Sequence, residues 1–141
     1  MDNLRIQPQI LQGQLANLRR FISANKSGTD QNIIIARLRD ELASLKVDKF
    51  TVARISLDRE LTDLYKGATP VVISLRGINK SIFKDVIANC LVNLTRQGKR
   101  VILCEPAEEI RNYLKRTKFD ELFEVYDTEV EAQEAASTPT Q

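Results

Sequence analysis

Arg100-Val-Ile-Leu-Cys-Glu-Pro106 runs into Ala107-Glu-Glu-Ile-Arg-Asn-Tyr-Leu-Lys-Arg-Thr117. Phe119-Asp-Glu-Leu-Phe-Glu-Val-Tyr-Asp-Thr128 then leads to Glu129-Val-Glu-Ala132. Val101–Cys104 is a short apolar run suited to a buried strand, and Pro106 fits the first turn of the amphipathic helix that follows. The order strand, helix, strand, helix is that of a binding module rather than of a catalytic pocket.

Working back from this stretch, the same alternation extends to Val47. Val71-Val-Ile-Ser-Leu75 is a β-branched run suited to a central strand. Ile82, Phe83, Val86, Ile87, Cys90, Leu91 and Leu94 mark one helical face, closed by Gln97-Gly98 in the manner of a helix C-terminus. Phe50, Val52 and Ile55 read as a strand, and a short helix is expected from about Ser56 through Tyr65. Pro70 disfavours helix in the residue before it. Alternation of this kind requires a sheet covered by helices.

The front of the chain carries helical spacing. Leu11, Leu15, Leu18 and Ile22, widened by Ile10 and Phe21, predict a helix from about Pro8 to Ala24. Asn25-Lys-Ser-Gly-Thr-Asp30 breaks it, and Ile34, Ile35, Leu38, Leu42 and Leu45 form a second stripe. Residues 1–46 are therefore expected to be a helical hairpin. It either packs on the chain's own domain or makes a homodimer through Leu11, Leu15, Leu18, Ile22, Leu38, Leu42 and Leu45. Residues 47–134 form the α/β domain, and the small, polar residues 135–141 form a disordered tail.

Composition narrows the function. The 141 residues suit one core, and the longest uninterrupted apolar run is far shorter than the roughly 18 to 20 residues that cross a bilayer. With no leader pattern at the start, the expectation is a cytoplasmic protein without membrane insertion. Histidine is absent, which removes the usual general base and the usual zinc ligand. Cys90 and Cys104 sit in apolar patterns and read as buried thiols. Glu105, Glu108 and Glu109 cluster at a strand-to-helix junction, where the helix dipole favours acids without any chemistry. No cofactor and no metal site is expected.

Charge is unevenly distributed. Residues 119–141 carry seven acids and no Lys or Arg, so residues 1–118 hold 21 basic against 12 acidic residues, a net +9. No dense basic run with interleaved aromatics supports nucleic-acid binding.

The stretch from Val71 to Ala132 resembles a STAS domain, the module of sulfate transporters and anti-sigma-factor antagonists. The resemblance rests on Leu75-Arg-Gly-Ile78, the long helix ending Arg96-Gln-Gly-Lys-Arg100, Val101–Cys104, and Phe119-Asp-Glu-Leu-Phe-Glu-Val-Tyr-Asp-Thr128 before Glu131-Ala132. Asn79-Lys-Ser-Ile82 stands where such antagonists carry an Asp-Ser-Ser-Gly-like turn, and counting back from Gly98 puts Ser81 opposite its first serine. The family's Gly-x-Leu-Asp turn is reduced to Ser56-Leu-Asp58, and Lys118 replaces a small residue.

The resemblance implies an α/β fold, a small sheet with helices packed on it, preceded here by the helical hairpin. It also implies a non-enzymatic regulatory or scaffolding module. Partners would be an anti-sigma factor, a switch kinase or a larger signalling assembly. They would be gripped through Gly77, Ile78, Asn79, Lys80, Ser81, Ile82, Phe83 and Lys84, with Ser81 as the position open to phosphorylation. The residues themselves allow a plainer role for Ser81 as helix N-cap and for Phe83 as core. A small-ligand or nucleotide-binding domain or enzyme, using a crevice near Asn79 and Glu105, is the alternative; a basic nucleic-acid binder is a second.

Overall fold

Val71–Ser74 buries all four of its side chains, and its neighbours in the sheet alternate between two cores. The computed structural model describes residues 20–27, 32–67 and 69–138. Within them, five strands lie in chain order: β1 (Ile22–Ser27), β2 (Ile33–Leu38), β3 (Val71–Ser74), β4 (Ile102–Cys104) and β5 (Glu124–Tyr126). The first pair is antiparallel and the rest are parallel. Ala36, Val71, Ile73, Val101 and Leu103 face the larger core, while Ile33, Ile35, Val72, Ile102 and Cys104 face the smaller. This period of two, with both faces covered, is what makes parallel strands read as unbroken apolar runs.

Sequential parallel strands joined by right-handed crossovers bring their helices to one side of the sheet. That side holds α2 (Phe50–Leu64), α3 (residues 80–96) and α4 (Glu108–Thr117), which supply most of the larger core. The short α1 (Asp40–Ala43) adds the buried Leu42. Among the described residues one helix, α5 (Glu129–Ala136), lies over the other face and approaches it through the small side chains of Ala132 and Ala136. Its partners are polar at both ends. Arg37 holds Glu129 at 2.8 and 3.0 Å, and Arg100 donates to the carbonyls of Ala135 (3.0 Å) and Thr138 (2.9 Å) while pairing with Glu124. Gly98 at φ +80° closes α3, with Lys99 N–H donating to Leu94 O at 3.0 Å, as its position after the helical stripe predicts.

Several expectations are corrected. Ile22–Ser27 and Ile33–Leu38 pair antiparallel, with Ala24 opposite Ala36, and supply the first two strands of the sheet rather than a pair of helices. The boundary expected at residue 46 therefore does not separate two units. Ile22 and Leu42 are buried in the larger core and Leu38 and Leu45 pack against it, so these four serve the chain's own domain and are not a free dimer seam. Leu11, Leu15 and Leu18 lie outside the described residues.

Phe50, Val52 and Ile55 are helical. Phe50, Ala53, Leu57, Leu61 and Leu64 point inward, whereas Val52 and Ile55 are 60% and 57% exposed. Ser56-Leu57-Asp58 accordingly sits in mid-helix and is no strand-turn remnant. Residues 135 and 136 belong to α5, with Ala136 buried, and Ser137 and Thr138 are hydrogen-bonded to its last turn, so these four are not part of a disordered tail; residues 139–141 lie outside the described residues.

Candidate functional site

The rim at the carboxyl end of β3 is built from a turn and a helix start. Leu75 N–H continues the ladder to Cys104 O at 2.9 Å, and Ile78 N–H closes a turn on Leu75 O at 3.1 Å. Gly77, third in that turn, takes φ +82°, a conformation glycine adopts without steric cost. Ile78 then plugs into the core at 2% exposure. From there α3 begins.

Three contacts tie down its first turn. Asn79 Oδ1 accepts from Ile82 N–H at 2.9 Å, Asn79 O accepts from Phe83 N–H at 3.0 Å, and Glu109 Oε1 on α4 accepts from Lys80 N–H at 2.9 Å. The helix cap is thus Asn79, a preferred residue there, and Ser81 is not the cap. Ser81 sits exposed, two residues into the helix. From Phe83 to Ile87 the helix widens into a π-helical segment, a feature common at functional positions.

Of the eight residues expected to touch a partner, Gly77, Asn79, Ser81 and Lys84 are exposed and Lys80 is partly so. Ile78, Ile82 and Phe83 are inside the core, at 2%, 1% and 0% exposure, and support the surface from beneath. Phe83 therefore takes the core role, with its ring edge-on to Tyr113 at 6.1 Å.

The crevice near Asn79 and Glu105 is taken up by structural contacts. Asn79 caps the helix, and Glu105, at φ +56°, accepts from the buried Ser74 hydroxyl at 3.4 Å. A cleft of about 290 Å³ does open beside the rim, but it is lined by Arg37, Asp40, Ser74, Arg76 and Glu129. Arg37 in it is committed to Glu129. Among the described residues no group of three metal-ligating side chains comes together. Burial pushes the Cys90 and Cys104 thiols up to about 12, so both stay protonated at neutral pH. Glu109 is the contributor that sequence reasoning missed. Its place in the first turn of α4 was legible, its contact with another helix was not.

No family model matches the chain, and no curated protein matches it. Solved structures do. A Thermotoga maritima protein given as a candidate anti-sigma factor antagonist matches at 19% identity and TM-score 0.60, over 86% of this chain and 99% of its own. A solution structure of that protein gives 22% identity and TM-score 0.55, over 82% and 88%. An anti-sigma-factor antagonist (STAS) domain protein from Planctomyces limnophilus gives 19% and 0.54, over 83% and 98%.

The fold is that of a STAS domain.

Nearly the whole length of two of these neighbours is covered. In this STAS fold the rim around Ser81 stands open among the described residues, with α5 across the sheet from the three crossover helices. No helix among those residues is long and apolar enough to cross a membrane.

Proposed function

We propose that the protein is a non-enzymatic regulatory module that binds a protein partner through Gly77, Asn79, Lys80, Ser81 and Lys84, and that phosphorylation of Ser81 switches this contact. The partner class is that of antagonist-type modules: an anti-sigma factor, a switch kinase or a signalling assembly. One observation carries the reading. The exposed first turn of α3 is held from below by Ile78, Ile82 and Phe83 and from the side by Asn79 and Glu109, so it is presented to solvent in one conformation. A surface ordered before binding loses little conformational entropy when a partner docks.

Electrostatics gives Ser81 its role. A phosphate there adds roughly −1.5 to −2 charges beside the positive end of the helix dipole. That end already holds the Glu109 carboxylate on Lys80 N–H. Phosphate and carboxylate compete for the same first-turn amides, so modification reshapes the rim as well as recharging it.

The test measures affinity for a partner co-purified from the source cell and identified, using the wild type, Ser81→Ala, Ser81→Asp and Ser81→Trp. Alanine is expected to bind as the wild type does. Aspartate and tryptophan are expected to weaken binding by about tenfold or more, the scale on which a misfit at an interface centre is felt. Undiminished binding by Ser81→Trp would place the interface elsewhere.

A further inference from the structure

Beside the rim, two clefts of about 260 Å³ each share Lys84 and Tyr113, and so make one groove bounded by α2, α3 and α4. Four cations border it. Lys80 and Lys84 lie one helical turn apart on α3, Arg116 stands on α4 and Arg54 on α2. Among the described residues none of the four makes an ion pair. Among the described lining residues Asp85 is the carboxylate, and the Glu109 carboxylate stands beside Lys80. Aromatic and apolar side chains lie among them: Tyr113 lines both clefts and packs edgewise with Phe119 at 6.1 Å, and Phe119 and Val92 line one of the two.

We infer that this groove receives an acidic segment of the partner protein. Two or more of the segment's carboxylates would meet Lys84, Arg116 and Arg54, and an apolar side chain between them would rest on Tyr113 and Phe119. The inference rests on the partner-binding reading, since Lys80 and Lys84 belong to the rim as well, and it names the partner's chemistry. Unpaired cations at a groove edge favour anionic partners and speed their encounter. A peptide fits better than a nucleic acid. Four cations are few for a phosphate backbone, and the chain offers no row of aromatic side chains on which successive bases could stack.

The experiment uses the full chain and a fluorescein-labelled peptide of about twelve residues, built from Glu pairs separated by Leu, read by fluorescence anisotropy. Saturable binding is expected, weakening severalfold between roughly 50 and roughly 200 mM salt. Combined Lys84→Glu and Arg116→Glu should weaken it by about tenfold or more with an unchanged circular dichroism spectrum, while Lys26→Glu with Lys66→Glu should not. No binding, or equal binding by the double reversal, removes the groove as the site. Tighter binding of a single-stranded DNA of the same length overturns the inference in favour of nucleic acid. The rim reading is separated by Ser81→Trp: partner binding lost through that variant while the peptide fails to bind keeps the rim and rejects the groove.

Discussion

Lys118 shows how one residue's backbone state can be read as energy. It follows the last turn of α4 at φ +61°, the left-handed conformation in which a β-carbon is unfavourable by about 1–2 kcal/mol and glycine is the common solution. Lys118→Gly should therefore stabilise the fold by about 1 kcal/mol, less the backbone entropy glycine adds to the unfolded chain, and raise Tm by a few degrees. An unchanged or lowered melting temperature would show the position to be unstrained. Phe83 makes the opposite case. Its ring is fully buried in the core and packs against Tyr113, so Phe83→Ala should cost about 3–5 kcal/mol in urea unfolding. A loss of partner affinity without that loss of stability would return Phe83 to the surface. The helical stripe in which it lies was legible in the sequence. Which member of a stripe is an anchor and which is core is decided by the neighbour helix, and Tyr113 is thirty residues further on.

Short, bounded apolar runs specify their element in the sequence, whereas residues that fit two periods at once do not. Ile33-Ile-Ile35 satisfies a helical stripe with Leu38 and Leu42, but its β-branched side chains pack alternately on the two cores, and the strand wins by tertiary burial. Phe50 to Ile55 is the reverse case: Phe50 and Val52 alternate as in a strand, yet the inward set Phe50, Ala53 and Leu57 continues at helical spacing to Leu64.

Helix α5 yields a pH prediction. Arg100 joins β5 to the end of α5, and its guanidinium, together with the Tyr126 hydroxyl, holds the Glu124 carboxyl below its ordinary value of 4.5. A carboxyl depressed in the native state binds its proton less readily there than when unfolded. Its contribution is thus present above about pH 4.5 and is lost as pH falls through the lowered native value. Glu124→Gln should flatten that part of the stability profile and leave the neutral-to-alkaline part parallel to wild type. Identical acid limbs in urea titrations of the two proteins would rule the pairing out as a contributor.

For the molecule as a whole, strand order following chain order explains both its asymmetry and the limits of sequence reading. Three crossover helices on one face could be anticipated from strand-helix alternation. The groove could not, because Arg54, Lys84 and Arg116 come from three different helices and meet only through the packing of that face. On the opposite face, among the described residues, one eight-residue helix covers Ile33, Ile35, Val72, Ile102 and Cys104. Ending the chain at Asp127 should uncover those side chains, bind a hydrophobic dye, and make Cys104 reactive toward a thiol reagent. Cys90, held between the helices of the larger core, should remain protected. Arg100→Ala, which keeps the helix but removes its tie to the Ala135 and Thr138 carbonyls, should show the same thiol selectivity in weaker form and covers the case in which the truncated chain does not fold. Simultaneous labelling of both cysteines in the Arg100 variant would mean that α5 is part of a single cooperative unit, whereas labelling of Cys104 alone locates the least stable element of the domain at its last helix.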